Sequence, residues 1–191
     1  MNRKTLDSII SYIGLALSAV LVVAGGLAYW GYSFASSSIH EQLVDQRITF
    51  PEGDFLPVAG KDGFTAEDAA AIAKYAGQQL TTGDQAKAYA DHYIKVHMNG
   101  ASGGKTYSEV SSEYRAAMAT DPTSEATAAL GQLRMTLFMG DTLRGLLLNA
   151  YAFGVVGTIA LYASIASFIG AVVLLLLAAL GFRHARAVAA E

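Results

Sequence analysis

Four histidines, a glycine-rich turn ahead of Lys105 and a crowd of tyrosines are the side chains here with the right types for chemistry. Gly100-Ala101-Ser102-Gly103-Gly104-Lys105-Thr106 most resembles a phosphate cradle. A P-loop needs four residues between its first glycine and its Gly-Lys pair, and it follows a strand. Counted from Gly100 this stretch has three, and Asn99 stands where the first glycine belongs. The stretch also follows a helical pattern, so it reads as a connector whose glycines permit positive φ.

The histidines are His40, His92, His97 and His184. His92 and His97 are five apart, which on an ideal helix separates them by about 140°. Metal-binding pairs on a helix sit three or four apart instead. Asp91 neighbours His92 in the chain and points to another side. The chain has no cysteine, which removes disulfides, thiolate ligands and cysteine nucleophiles together. Nothing singles out a serine and an acid to complete a triad with any of these histidines. No catalytic group, metal ligand or cofactor site is expected.

The tyrosines remain. Tyr75, Tyr89, Tyr93, Tyr107 and Tyr114 crowd the middle of the chain. They can line a pocket for a lipid or an aromatic compound. They can equally fill a core whose alanine-rich helices leave gaps. Tyr75, Tyr89, Tyr93 and Tyr114 are therefore candidate interaction residues, with core packing as the plainer reading.

Two long segments must position all of this. Of 191 residues 53% are hydrophobic and only 15% charged, where soluble domains carry about a quarter. The deficit is local. Ile9 to Phe34 is free of Asp, Glu, Lys and Arg, as is Gly145 to Phe182. A spanning helix needs about 20 apolar residues, so both runs can cross a bilayer. The first is too long for the apolar region of a signal peptide, although Ser33-Phe34-Ala35 resembles a cleavage site. The second exceeds one span, so residues 155–182 are expected to cross and residues 145–154 to form an interfacial helix extension. Tyr151 and Phe153 would then mark the outer boundary, as Trp30 and Tyr32 do for the first span. Leu146, Leu147 and Leu148 cannot all face one way, so this turn is expected to be buried against the domain or a partner.

Orientation follows from the flanks. The head (residues 1–8) and tail (residues 183–191) hold Arg3, Lys4, Arg183 and Arg186 against Asp7 and Glu191. That leaves 13 − 4 = 9 Lys/Arg and 16 − 2 = 14 Asp/Glu between the spans. The positive-inside tendency puts both termini in the cytoplasm and residues 35–144 outside the plasma (inner) membrane. The net charge of −3 and the lack of basic clusters argue against nucleic acid as a partner.

Residues 35–144 can form a domain of their own. Pro51, Pro57 and nearby glycines read as loop, with Ile48 and Phe50 alternating as in a short strand that lacks an evident partner. Capping boxes at Thr65–Asp68 and Thr106–Glu109 open helices. Ala69, Ile72, Ala76 and Leu80 make one helical stripe, and Ala86, Tyr89, Tyr93 and Val96 a second, opened by Asp84 and stopped at Asn99-Gly100. Val110, Tyr114 and Ala117 or Met118 make a third. Asp121-Pro122 then begins a helix carrying Leu130, Leu133 and Leu137, with no proline before Phe182. The expected architecture is all-α: two transmembrane helices with an extracytoplasmic helical domain inserted between them, the second span continuous with the domain's last helix. Within the spans, Gly25, Gly26, Ala166 and Gly170 have the small-residue spacing that brings helices together. Asp141 and Arg144, flanking the junction, are candidate contacts for lipid headgroups or a partner.

The stretches Lys74–Met98 (KYAGQQLTTGDQAKAYADHYIKVHM), Gly31–Leu43 and Thr142–Tyr151 resemble a family of small actinobacterial two-span membrane proteins without an established mechanism. Members often carry an aromatic ring-opening dioxygenase-like label. That chemistry needs iron held by two His and one carboxylate. The spacing of His92 and His97 does not supply the set, and no catalytic residue is carried over. The expected function is a non-enzymatic membrane accessory or scaffold protein, whose outer domain docks a membrane-protein partner complex or forms homo-oligomers. The alternative is an exported, membrane-anchored ligand-binding module with a tyrosine-lined pocket.

Overall fold

A computed structural model describes residues 3–187; Met1, Asn2 and residues 188–191, including Glu191 of the tail, lie outside the described residues. The named elements of the described chain are all helical, in the order α1 (Arg3–Asp45), a 3-10 turn (Gly53–Phe55), α2 (Ala66–Ala73), α3 (Gly83–Tyr89), a π-helical segment (Ala90–Ile94), α4 (Lys95–Ser102), α5 (Tyr107–Thr120) and α6 (Glu125–Ala187). Both α1 and α6 are long and apolar enough to cross a membrane. The chain divides into two compact units, one made of its two ends and one made of Ser38–Gly154.

The first unit pairs residues up to Ser37 of α1 with the part of α6 from Val155 onward. Contacts run in opposite directions along the two helices. A Cβ placed on Gly14 would lie 3.5 Å from Ala178, one on Gly25 3.2 Å from Ser167, and one on Gly157 3.4 Å from Ala35. The inward positions of α1 are Ser11, Gly14, Ser18, Leu21, Gly25, Ala28, Tyr32 and Ala35. They alternate spacings of three and four, the 3.5-residue repeat of coiled coils. Buried Ala171, Ala178 and Ala185 continue the same repeat on α6. Small side chains bring the backbones close enough for hydroxyls to reach across. Ser18 Oγ donates to the Ala171 carbonyl at 3.1 Å, and Ser164 Oγ to the Gly25 carbonyl at 2.8 Å.

Of the four predicted packing residues, two lie in this seam. Gly25 faces Ser167 and Phe168, and Gly170 has Leu21 at 3.1 Å from its Cβ position. The other two do not face the neighbouring helix of this chain. Gly26 has nothing within 4 Å of its Cβ position, and Ala166 is exposed. A seam of period 3.5 takes one residue of an adjacent glycine pair and turns the other away. At the charged end, His184 Nδ1 lies 2.9 Å from Asp7 Oδ2.

In the unit of Ser38–Gly154 the core gathers Ile39, Leu43, Phe50, Ile72, Leu80, Ala86, Ala90 and Leu147. Ile48 and Phe50 do find a partner: Phe50 N–H donates to the Gln78 carbonyl at 2.9 Å and Leu80 N–H to the Ile48 carbonyl at 2.8 Å. Thr49 and Gln79 form the antiparallel bridge between these segments. The predicted stripe through Ala76 and Leu80 is thereby corrected. Helix α2 ends at Ala73, Gly77 takes φ +68°, and Leu80 enters the core from extended chain.

Thr65–Asp68 and Thr106–Glu109 form reciprocal capping boxes. A third sits at Thr82–Gln85, so Thr82 rather than Asp84 caps α3. Gly83 follows that cap because α6 passes close by: a Cβ there would lie 3.1 Å from the Tyr151 backbone. Nor does Asn99-Gly100 stop the helix. It runs to Ser102 and ends on Gly103 at φ +62°. Leu147 is buried and Leu148 packs on the core, whereas Leu146 is exposed. A helix turning 100° per residue cannot bury three neighbours against one side.

Candidate functional site

The π-helical segment Ala90–Ile94 carries Asp91 and His92, and Lys87 and Arg144 converge on it. One extra residue in a helical turn weakens the backbone ladder locally, and such segments recur at functional sites. Here the Ala90 carbonyl accepts from Lys95 N–H and also from Arg144 Nε at 3.0 Å. Arg144 further reaches Asp91 Oδ1 at 3.1 Å, while Lys87 Nζ sits 2.6 Å from Asp91 Oδ2. Burial pushes the Asp91 carboxyl up, but Lys87 and Arg144 outweigh it and hold the group below the usual carboxylate range. The hydrogen bond to Asp91 in turn raises the Lys87 ammonium above its ordinary value. Lys87 also lies over the Tyr151 ring, 5.3 Å from its centroid. Arg144, a predicted headgroup or partner contact, thus points inward and ties α6 to the π-helical segment. Asp141, 4.0 Å from Arg144, keeps half its surface exposed.

In the same segment, His92 Nδ1 lies 2.8 Å from Asp68 Oδ1. Burial pushes the Asp68 carboxyl up, yet the Thr65 hydroxyl and His92 together hold it below its ordinary value. His97 instead places Nδ1 2.8 Å from the Tyr93 carbonyl. The two histidines serve different partners, and among the described residues no group of three His, Asp or Glu converges as metal ligands would.

The glycine-rich turn is also occupied by the chain's own groups. Glu109 accepts from Thr106 N–H at 2.7 Å and from its hydroxyl at 2.8 Å, filling the anion position at the start of α5. Lys105 is held by Glu113 at 2.7 Å. A phosphate there would compete with one carboxylate and lose its lysine to another.

Tyr75, Tyr89 and Tyr93 belong to one aromatic cluster that is part of the core. Ring centroids are 5.2 Å apart for Phe50–Tyr75, 5.3 Å for Phe50–Tyr89 and 4.8 Å for Tyr89–Tyr93. Burial, with Tyr93 adjacent, pushes the Tyr89 phenol up. Tyr107 and Tyr114 stand apart from that cluster, against α6. Arg134 lies over the Tyr114 ring, 5.2 Å from its centroid, and its guanidinium lowers the Tyr107 phenol from its ordinary value. Gly131 admits the Tyr114 ring edge at 3.1 Å from its Cβ position.

No protein-family model, no curated protein and no solved structure matches this chain.

The sequence did not single out the outer face of α6 beside these tyrosines. Met135, Phe138, Met139 and Leu146 recur there at spacings of three, four and seven, each more than half exposed. The helical period was legible, but it could not say which of two apolar stripes the core would take. Leu137 and Leu147 went inward, and the methionines stayed out.

Proposed function

We propose that this protein is a non-enzymatic integral membrane accessory or scaffold protein whose helical domain, residues 35–144, lies outside the plasma (inner) membrane and docks a partner complex or further copies of itself. Both termini then face the cytoplasm, the side favoured by Arg3, Lys4, Arg183 and Arg186. The observation that carries this reading is the exposed Met135, Phe138, Met139 and Leu146 face of α6. Monomeric soluble domains rarely leave contiguous apolar surface uncovered, and such patches mark interaction sites. Methionine and phenylalanine with a neighbouring arginine and tyrosines are also the residues enriched at interfaces. The resemblance to small two-span actinobacterial proteins belongs to the same proposal.

A tyrosine-lined ligand pocket is the weaker reading, because Tyr75, Tyr89 and Tyr93 already spend their faces on Phe50 and on each other. The test is isolation of the full chain from native membranes in mild detergent, with a photo-crosslinking residue at Met139. Cross-links to one stoichiometric neighbour are expected. A strictly monomeric, partner-free protein would sink the reading.

A further inference from the structure

The same unit carries one conspicuous apolar loop and one cationic recess, and their chemistries match. Phe55, at the end of the 3-10 turn, is 84% exposed, the most exposed large hydrophobic side chain among the described residues. Val58 beside it is 60% exposed. Asp54 and Glu52 flank them, and among the described residues Asp54 has no ion-pair partner. Water penalises a bare phenylalanine, and the two acids make this loop a poor match for an anionic lipid surface.

The recess lies between α5 and α6. One hollow, about 200 Å³, is lined by Tyr107, Gly131, Arg134, Met135 and Phe138. A second, about 420 Å³, adjoins it, shares Gly131, Arg134 and Met135, and is walled by Tyr114, Met118 and Pro122. Arg134 therefore stands between two largely apolar hollows. Its guanidinium has ring and phenol neighbours but no carboxylate among the described residues. Arg115 lies near the same phenol and, among the described residues, bonds the Ser112 hydroxyl at 3.1 Å and no carboxylate. Arg134 is half-buried, and an arginine without a carboxylate is free to donate a charge-assisted hydrogen bond to an incoming acid.

The geometry points to a second copy of this chain as the occupant: the loop Asp54–Val58 of one copy seats in the recess of another, with Asp54 on Arg134 and Phe55 and Val58 in the two hollows. This inference rests on the docking reading above and names its partner. Loop and recess are different patches, so the contact is either made twice across a two-fold axis or repeats head to tail and closes a ring.

The full chain in mild detergent, studied by native mass spectrometry and sedimentation, tests this. The wild type is expected to self-associate. Phe55→Ser and Asp54→Arg, both at exposed positions, should each weaken association at least tenfold, and Asp54→Arg with Arg134→Asp should restore it. Because the chain lacks cysteine, co-expressed Phe55→Cys and Met135→Cys copies supply an independent readout, and a mixed disulfide dimer in native membranes is expected. Wild-type association that none of these variants alters, with no mixed dimer, overturns this interface and leaves the docking reading standing. A monomer that co-purifies with a different protein does the same. A monomer with neither copy nor partner overturns both.

Discussion

Where the domain of residues 38–154 buries Phe50, Ile72 and Leu80, the helix pair buries Ser11, Ser18, Ser164 and Ala178. The pair's exposed surface shows the reverse, with Ile13, Val20, Leu27, Ile159, Leu176 and Leu180 all outward. The two halves follow opposite rules of burial. In water a unit stabilises itself by hiding large apolar side chains, at roughly 1.5–3 kcal/mol each. In hydrocarbon that gradient vanishes, and helices associate through close backbone approach and hydrogen bonds between them. The seam of Gly14, Gly25 and Gly157, with Ser18 and Ser164 reaching opposite carbonyls, has the features of the second rule. The cluster of Phe50, Tyr75 and Tyr89 is built on the first.

The sharpest test of the contrast is deletion in the domain. Phe50→Ala removes a ring that is 1% exposed and touches both Tyr75 and Tyr89. A loss of about 3–5 kcal/mol is expected, a large share of a typical domain's stability. Denaturant titration of the near-ultraviolet signal reads it. An unchanged midpoint would show that the aromatic cluster is not the core.

Insertion should do in the helix pair what deletion does in the domain. Gly25→Leu forces side-chain atoms into a space where a bare Cβ already meets Ser167 and Phe168 at 3.2 Å. Overpacking of this kind costs about 1–3 kcal/mol. Gly26→Leu, one residue on, meets nothing within 4 Å and should leave the pair intact. Double-cysteine proximity labelling between α1 and α6 separates the two variants. Equal behaviour would dissolve the seam.

Smaller effects separate caps from cross-helix hydroxyls. Thr82→Ala removes the acceptor for Gln85 N–H and should cost the domain about 1 kcal/mol. Ser164→Ala removes the bond to the Gly25 carbonyl and should cost the pair about 0.6 kcal/mol, the average for such bonds in membranes. Guanidinium melts of the domain and reversible detergent unfolding of the pair read these differences.

Acid should reach the domain through its carboxylates. Asp68, Asp91 and Glu109 all lie below their ordinary values when folded. Folding therefore gains from their ionised forms at neutral pH. That gain starts to fade as pH drops into the ordinary carboxylate range near 4 and is lost once pH falls below the folded values. Asp68→Asn and Asp91→Asn should flatten the acid limb of a circular-dichroism titration. A limb of unchanged steepness would assign acid sensitivity elsewhere.

How much of this was legible depends on the reach of each signal. The boxes at Thr65–Asp68 and Thr106–Glu109 were readable because hydroxyl and carboxylate sit three residues apart in the chain. The box at Thr82–Gln85 used the same geometry but was hidden, since Asp84 offered itself as the opening residue. In the fold Gly83 admits the α6 backbone at Tyr151. Ala76 and Leu80 fitted a helical stripe as well as Ile72 did, and only the bridge to Thr49 shows that the chain had already left the helix. For the candidate site, the tyrosines could be listed but not sorted. Tyr93 and Tyr114 look alike in sequence, yet one packs beside Tyr89 and the other carries Arg134 on its face.

By itself the sequence determined two apolar helices of spanning length, the charge bias at their ends, two of the caps and the lack of any cysteine chemistry. Each is a property of composition or of neighbours within one helical turn, where sterics and hydrogen-bond reach act locally. Tertiary structure alone decided which of Gly25 and Gly26 faces the partner helix, that Arg144 turns inward to the Ala90 carbonyl, and that Met135 and Phe138 are left outside. Those outcomes depend on contacts between residues as far apart as Gly25 and Ser164, 139 positions along the chain. Competition among packed faces settles them, and no short window of residues contains it.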